Sequence, residues 1–260
     1  MKEERKVVFF DIDGTLLNKN LKLPESTKEA IFALQEKGID VVIATGRAPF
    51  MFKQLREELK IESYISFNGS YVVVEGEVIM DTPLATEQLI KLEQIAEKSN
   101  HSMVFLDHLG AVANRENDPF ISESFGGLNE PYPSVKKSDY HHRNIYQALL
   151  FCEEHEEKDY LINHKYFDYV RWHKYSLDIL PGGGSKARGI ERVLRHLSAS
   201  VVNSYAFGDE LNDLEMLDYV GTGIAMGNGR DEVKAVANYT TKHVDEDGIY
   251  HGLKYVGLLE

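Results

Sequence analysis

One cysteine, Cys152, stands among 260 residues. It excludes an internal disulfide, and its neighbours Leu149, Leu150 and Phe151 mark it as a buried, inert thiol on a strand. Long hydrophobic runs are missing too. No stretch approaches the roughly 18 apolar residues of a membrane span. The charged start Met1-Lys2-Glu3-Glu4-Arg5-Lys6 leads into only a short apolar run before Asp11. A cleaved leader there would take Asp11 with it, so the chain reads as cytoplasmic and without a membrane partner. Basic residues are scarce: 29 Lys and Arg face 42 Asp and Glu, a formal charge of −13. That balance excludes a general nucleic-acid binder, which gains affinity through a basic face and counterion release. It also means that an anionic partner must be drawn in by local positive groups against the overall field. Internal repeats and low-complexity segments are absent. What remains is ordinary for a folded soluble chain, with 43% apolar and 27% charged residues. Its length suits one large domain or two smaller ones.

Asp11-Ile12-Asp13-Gly14-Thr15 sits directly behind the apolar run Val7-Val8-Phe9-Phe10. Two residues apart at the end of what reads as a buried strand, the two carboxylates are expected to project in the same direction, because side chains in an extended chain alternate with period 2. Like charges buried side by side need a shared cation or proton, so the pair predicts a metal ion, split pKa values, or both. Gly14 supplies the turn out of the strand and Thr15 a hydroxyl. Asp-x-Asp-Gly is also turn and calcium-loop chemistry, and that alternative stands beside the first.

Three further pieces suit phosphate chemistry. Val41-Val42-Ile43-Ala44 ends in Thr45-Gly46-Arg47, offering a hydroxyl and a Gly amide to a phosphate oxygen. Gly182-Gly183-Gly184-Ser185 leads into Lys186 and a helical stripe of Ile190, Val193, Leu194 and Leu197, placing an ammonium near a helix N-terminus. Ser204-Tyr205-Ala206-Phe207 runs into Gly208-Asp209-Glu210-Leu211-Asn212-Asp213, a second acidic cluster at a strand end. Each alone is compatible with a plain strand-to-helix connection, a solvated lysine or a helix cap. Together, in this order, they supply a nucleophile, a hydroxyl, a cation and carboxylates.

In order and spacing these residues resemble the haloacid dehalogenase superfamily of aspartate-dependent phosphohydrolases, in particular its Cof-type phosphatases with a type C2 (IIB) cap. Asp11 to Thr15 looks like that family's first motif, Ala44-Thr45-Gly46-Arg47 its second, Ser185-Lys186 its third and Gly208 to Asp213 its fourth. Phe67-Asn68-Gly69-Ser70 resembles the segment where the family leaves its core for the cap. Two departures are visible: Ala187 and Glu210 stand where Gly is usual, and Glu210 adds a negative charge near the expected metal. The resemblance implies a doubly wound, Rossmann-like parallel-sheet α/β core with an inserted α+β cap. It implies Asp11 as nucleophile, Asp13 as general acid and base, and Lys186 as catalytic cation. Ile12, Thr45, Gly46, Arg47, Lys186 and Asn212 would bind the phosphoryl group. Asp11, Asp13 through its carbonyl, Asp209 and Asp213 would form the metal site, Asp213 either as a ligand or by holding the metal's waters and Lys186. A hard ion with oxygen ligands, Mg²⁺, fits that set. The implied partner is a small phosphorylated molecule, a sugar phosphate or a phosphorylated cofactor such as pyridoxal phosphate or flavin mononucleotide. The oligomeric state is not legible.

The pattern along the chain gives the same division. Before residue 81, strands alternate with helices. Ser26 is expected to cap a helix with the stripe Ala30, Ile31 and Leu34, and Tyr71 to Met80 reads as a hairpin turning near Gly76. An insertion follows over 82–182, bounded by Asp81-Thr82-Pro83 and Pro181-Gly182-Gly183-Gly184, and the core comprises 1–81 and 183–260. Strands are expected at Met103–Leu106, Tyr146–Phe151 and Tyr175–Ile179. Seven of the ten histidines lie in the insertion without metal-site spacing, and the aromatics from Tyr160 to Tyr175, which could stack on a ring, read first as cap core. Two other functions use similar residues. A phosphotransferase or mutase differs only in the acceptor, and a catalytically silent binding protein would keep the scaffold. A signalling receiver also carries strand-end aspartates, a Thr and a Lys, but lacks the late acidic cluster and the long insertion.

Overall fold

The computed structural model describes residues 4–128, 130–161 and 166–260. Along the chain, β1 (Val7–Phe10), α1 (Glu25–Glu36), β2 (Asp40–Ala44), α2 (Lys53–Leu59), β3 (Tyr64–Ser66), β4 (Tyr71–Val74) and β5 (Glu77–Asp81) come first. Then follow α3 (Thr86–Lys98), β6 (Ser102–Leu106), β7 (Ala111–Ala113), α4 (Pro119–Gly127), β8 (Ser134–Val135), β9 (Gln147–Phe151), α5 (Lys158–Leu161), β10 (Phe167–His173) and β11 (Ser176–Pro181). The last stretch holds α6 (Lys186–Leu197), β12 (Ser204–Gly208), α7 (Leu214–Tyr219), β13 (Thr222–Ala225), α8 (Asp231–Val236), β14 (Tyr239–Thr240) and α9 (Gly248–Tyr255). The chain divides into two compact units, one of residues 1–47, 53–81 and 185–260 and one of 48–52 and 82–184.

In the first unit eight strands lie in the order β14-β13-β12-β1-β2-β3-β4-β5. Those from β14 to β3 run parallel, and β4 and β5 append an antiparallel hairpin. A strand buried on both faces is apolar at every position rather than alternating, as Val7-Val8-Phe9-Phe10 is. Val7 and Phe9 pack with Ile190, Val193, Leu194 and Leu197 of α6 and Met216 and Leu217 of α7. Phe10 stacks on Phe207 of β12 at 5.1 Å, and Gly252 lets α9 close on the Phe207 ring. Burying each such ring contributes about 2–3 kcal/mol. The chain winds outward from β1 to β2 and β3 on one side and through β12, β13 and β14 on the other. The order therefore reverses between β1 and β12, where open α/β sheets form their ligand crevice at the carboxyl ends of the strands.

The inserted unit is built on a six-stranded sheet, β10-β11-β9-β6-β7-β8, antiparallel except where β8 joins β7. Its core gathers Leu89 and Leu92 of α3, Phe105, Val112, Tyr140, Ala148, Leu150, Cys152, Phe167, Leu177 and Ile179. Cys152 is buried on the margin of β9, as its neighbours implied.

Some local expectations fail. Ser26 lies inside α1, whose N-cap is Pro24, and its hydroxyl donates instead to Asp247 Oδ1 at 2.6 Å. The aromatic stretch, by contrast, meets its expectation: Tyr160 and Phe167 are buried in the core of the inserted unit and Tyr169 packs against it, the latter two from strand β10; residues 162–165, His164 among them, lie outside the described residues. No helix among the described residues is long and apolar enough to cross a membrane.

Candidate active site

Every motif residue follows the carboxyl end of a parallel strand or opens the helix beside it. Asp11 leaves β1 with its amide donating to Phe207 O at 3.0 Å, which ties the end of β1 to β12. Thr45 follows β2, Asn68 follows β3, Asp209 follows β12 and Asn228 follows β13.

Lys186, the first residue of α6, is the hub. Its side chain is 0% exposed, and Nζ donates to Asp11 Oδ1 and to Asp213 Oδ1, each at 2.6 Å. The other oxygen of Asp213 accepts the backbone amides of Asp209, at 2.9 Å, and Glu210, at 3.1 Å. One carboxylate thus holds both the ammonium and the turn after β12. Asp209 takes the Thr15 hydroxyl at 3.2 Å and the Asn228 amide at 3.3 Å. Asn228 also donates to Gly14 O and accepts from the Val244 amide, pinning two loops to this carboxylate. Gly14 has φ +77°, and a Cβ there would overlap Asp209 Oδ2, so only glycine lets the first loop lie against the fourth.

Asp11, Asp209 and Asp213 are all buried, with oxygens within 4.8 Å of one another. Three carboxylates against one ammonium leave negative charge in excess, and the ionisation follows. Burial pushes Asp11 well up from the usual carboxylate range, opposed by Lys186 and reinforced by Asp213, Asp13 and Asp209. Asp209 is pushed up to about 7 by burial, with Asp213 and Glu210 adding to it while Thr15 and Lys186 act against it. For Lys186 burial works downward, but Asp11 and Asp213 outweigh it and hold the ammonium protonated. Hard oxygen donors, buried and short of positive charge, are the donor set of a divalent cation such as Mg²⁺.

Asp13 departs from the expected pairing. The strand ends at Phe10 and Asp13 lies in the following turn, so period-2 alternation does not reach it. Its side chain is 54% exposed and its carboxylate takes Arg47 Nε at 2.8 Å and Nη2 at 2.5 Å. It stands outside the buried carboxylate cluster, so a contribution to a metal would come through its backbone. The Ile12 side chain is fully buried in the core, which leaves only its backbone for a ligand. Thr45 Oγ1 accepts the Arg47 amide at 3.1 Å, shaping the loop that carries Gly46. Asn212 Nδ2 donates to Asn68 Oδ1 at 3.2 Å, bringing the fourth motif to the segment after β3. That segment closes on the third motif at Gly69, with φ +97°, where a Cβ would overlap Ser185 O. Glu210 is neutralised by Arg230 Nε at 2.8 Å, and Ala187 is the second residue of α6, where it favours the helix. Asn68 and Asn228 were not among the expected site residues. Their one signal is position, each just beyond an apolar run that ends in the sheet.

The crevice at the reversal of the parallel sheet thus holds a buried Asp–Lys–Asp bridge beside a third carboxylate. Residues 8–253 match the model of the haloacid dehalogenase-like hydrolases, and the chain belongs to that family. YkrA of Bacillus subtilis (strain 168), whose name places it provisionally among the phosphatases, is 45% identical over 257 residues, covering 99% of this chain and 100% of that one. A hypothetical protein from Geobacillus kaustophilus HTA426 superposes with a TM-score of 0.96 at 49% identity, covering 98% of this chain and 100% of the other. The sugar phosphatase BT4131, of subclass IIB, superposes with a TM-score of 0.85 at 30% identity, covering 98% and 100%. Within the family the chain is a phosphatase of the Cof type, a hydrolase of phosphoric monoesters.

Proposed function

We propose that the chain is a Mg²⁺-dependent phosphatase of small phosphomonoesters, sugar phosphates or phosphorylated cofactors and their precursors, working through an aspartyl-phosphate. The observation that carries this reading is the buried bridge from Lys186 to Asp11 and Asp213. With Oδ1 engaged by Lys186, the second oxygen of Asp11 is the nucleophile. It forms a bond to phosphorus as the bond from phosphorus to the leaving oxygen breaks, and Asp13 gives that oxygen a proton. In the second half Asp13 takes a proton from water, the water oxygen bonds to phosphorus, and the Asp11–phosphorus bond breaks to release inorganic phosphate.

In phosphoryl transfer the charge is spread over the three equatorial oxygens, so positioning and neutralisation do most of the work. Lys186, the Thr45 hydroxyl, the Gly46 amide, Arg47 and Asn212 serve those oxygens. Asp11 and Asp209 would hold Mg²⁺, with Asp13 contributing through its carbonyl, and the ion would offset charge on the transferring group. Asp213 already accepts three N–H donors through its two oxygens, which suits it to fixing Lys186 and the Asp209 turn. Residues 1–81 and 183–260 would be the catalytic core and 82–182 the cap that selects the substrate.

The relatives support the substrate range. YitU of Bacillus subtilis (strain 168), 28% identical with 98% of each chain covered, is a 5-amino-6-(5-phospho-D-ribitylamino)uracil phosphatase, and BT4131 is a sugar phosphatase. The test is phosphate release from phenyl phosphate by wild type and Asp11→Asn, with Mg²⁺ and with chelator, then a phosphometabolite panel. Turnover is expected only where both Asp11 and Mg²⁺ are present. Activity that survives Asp11→Asn would end the covalent mechanism, and phosphate passing to an added sugar rather than to water would make the enzyme a transferase.

A further inference from the structure

The turn that leaves β3 has a backbone that its own side chains do not favour. Phe67, Asn68 and Gly69 follow one another with φ of +50°, +49° and +97°. Glycine takes that conformation freely and asparagine tolerates it, but a bulky side chain such as that of Phe67 is an outlier there. Such outliers persist only where the surroundings impose them. Here the surroundings are the second and third motifs. The Phe67 amide donates to Arg47 O at 3.3 Å and the Asn68 amide to Thr45 O at 3.1 Å. The Phe67 side chain is fully buried, and Gly69 lies against Ser185 O. Strain of this kind gathers at functional sites, where it aims a side chain that a relaxed turn would point elsewhere.

The side chain aimed in this way is that of Asn68. Its amide lies against Gly46, where a Cβ would stand 3.0 Å from Asn68 Nδ2 and 3.2 Å from Oδ1. Oδ1 also accepts from Asn212 Nδ2 at 3.2 Å. Asn68 therefore joins Gly46 to Asn212, two residues that the phosphatase reading gives to the phosphoryl oxygens. With Oδ1 engaged, the Nδ2 group keeps two N–H donors that meet no acceptor among the described residues. The residue is half-buried, open on one side to a ligand. Glycine would suit φ +49° better than asparagine does, so the backbone gives no reason for an amide at this position, whereas an anion does.

We propose that Asn68 binds the phosphoryl group, donating from Nδ2 to a non-bridging oxygen beside Gly46 while Oδ1 holds the Asn212 amide toward the same group. This rests on the reading of the motif cluster as a phosphatase site. The ligand class is a tetrahedral oxyanion, and inorganic phosphate is its simplest member. Neutral donors add hydrogen bonds to that anion without adding a cation to the Asp11–Lys186–Asp213 bridge.

The test compares wild type, Asn68→Gly, Asn68→Ala and Asn68→Asp by calorimetric binding of orthophosphate in Mg²⁺, by KM and kcat on phenyl phosphate, and by a thermal melt. Asn68→Gly should melt at or above wild type, because glycine holds the turn without strain. It should nevertheless bind phosphate about tenfold more weakly, with KM raised to match. Asn68→Ala should lose a similar factor and melt lower. Asn68→Asp decides between binding the anion and merely propping Asn212. It keeps the shape and an oxygen for Asn212 but exchanges the donors for negative charge, so phosphate should weaken about a hundredfold.

Unchanged phosphate affinity in Asn68→Gly would overturn the proposal. So would an Asn68→Asp protein that binds as wild type does, which leaves Asn68 only a prop, or losses of equal size in all three variants, which assign it to the shape of the turn. Where orthophosphate binds too weakly to read, KM carries the same comparison with the same outcomes. A wild type that binds orthophosphate but does not turn over phenyl phosphate would end the phosphatase reading while the variants still judge Asn68. One that does neither would end both.

Discussion

Arg47 grips Asp13 at two points, Nε on Oδ2 at 2.8 Å and Nη2 on Oδ1 at 2.5 Å. The planar guanidinium fixes the orientation of the carboxylate that we propose exchanges protons with the leaving group and with water. Because Asp13 is half in solvent, the pair contributes less than about 1 kcal/mol to stability. Arg47→Met should therefore melt within a few degrees of wild type, while kcat on phenyl phosphate falls about 10²-fold as the proton donor loses its aim. Steady-state kinetics beside a thermal melt separates the two effects, and equal losses in both would assign Arg47 a structural role.

Removing the ammonium has the opposite balance. Lys186→Met leaves Asp11 and Asp213 buried without their cation, a loss of about 3–5 kcal/mol. Urea denaturation in chelator should show it, along with complete loss of turnover. Part of the stability should return as pH is lowered, because protonated carboxyls no longer need a partner.

Without metal, the enzyme should lose stability as pH rises. Asp209 titrates near 7 in the folded chain and Asp178 likewise, against about 4 in the unfolded one. Across that interval the folded state binds more protons than the unfolded state, so the free energy of unfolding falls with rising pH. The contribution is complete below about pH 4 and lost by about pH 7, on the order of a few kcal/mol. Mg²⁺ should stabilise increasingly over the same interval, because it binds the ionised form. Melting curves from pH 5 to 8 with chelator and with Mg²⁺ test this; a flat chelator series would show that these carboxyls are not titrating as the buried site requires.

Asn228 joins Gly14 O, Asp209 Oδ2 and the Val244 amide. Asn228→Ala should free Asp209 to rotate and raise the Mg²⁺ concentration for half-activation about 10- to 100-fold, with kcat at saturating metal nearly unchanged. Metal titration of phosphate release reads it directly.

The strands of the core and the residues that carry charge were legible because both leave local marks. Val7-Val8-Phe9-Phe10 is apolar at every position because it is buried on both faces, and Lys186 stands at the head of a clear helical stripe. What failed depended on contacts between distant segments. Asp13 was aligned with Asp11 by counting in twos, but the strand stops at Phe10 and Arg47 sets its direction. Ser26 looks like a cap until Asp247, 221 residues later, takes its hydroxyl. Asn68 and Asn228 are ordinary turn residues in sequence and become site residues only through partners elsewhere in the chain. β14, with two residues, and β10, with a bulge and with Asp168 and Val170 exposed side by side with part-buried positions, are too short or too irregular to leave a period.

The lysine that neutralises Asp11 follows it by 175 residues, and β12 occupies the sheet position directly beside β1. During synthesis, the first strands can collapse on β2 and β3 long before β12 exists. Until then one flank of Val-Val-Phe-Phe is an open sheet edge, the kind of surface that pairs with other chains. Asp11 meanwhile lacks the Lys186 ammonium and its neighbouring carboxylates. A ribosome-bound fragment that stops short of β12 therefore has an unassembled site beside an open sheet edge, and chaperone demand should fall once residues beyond 208 have emerged.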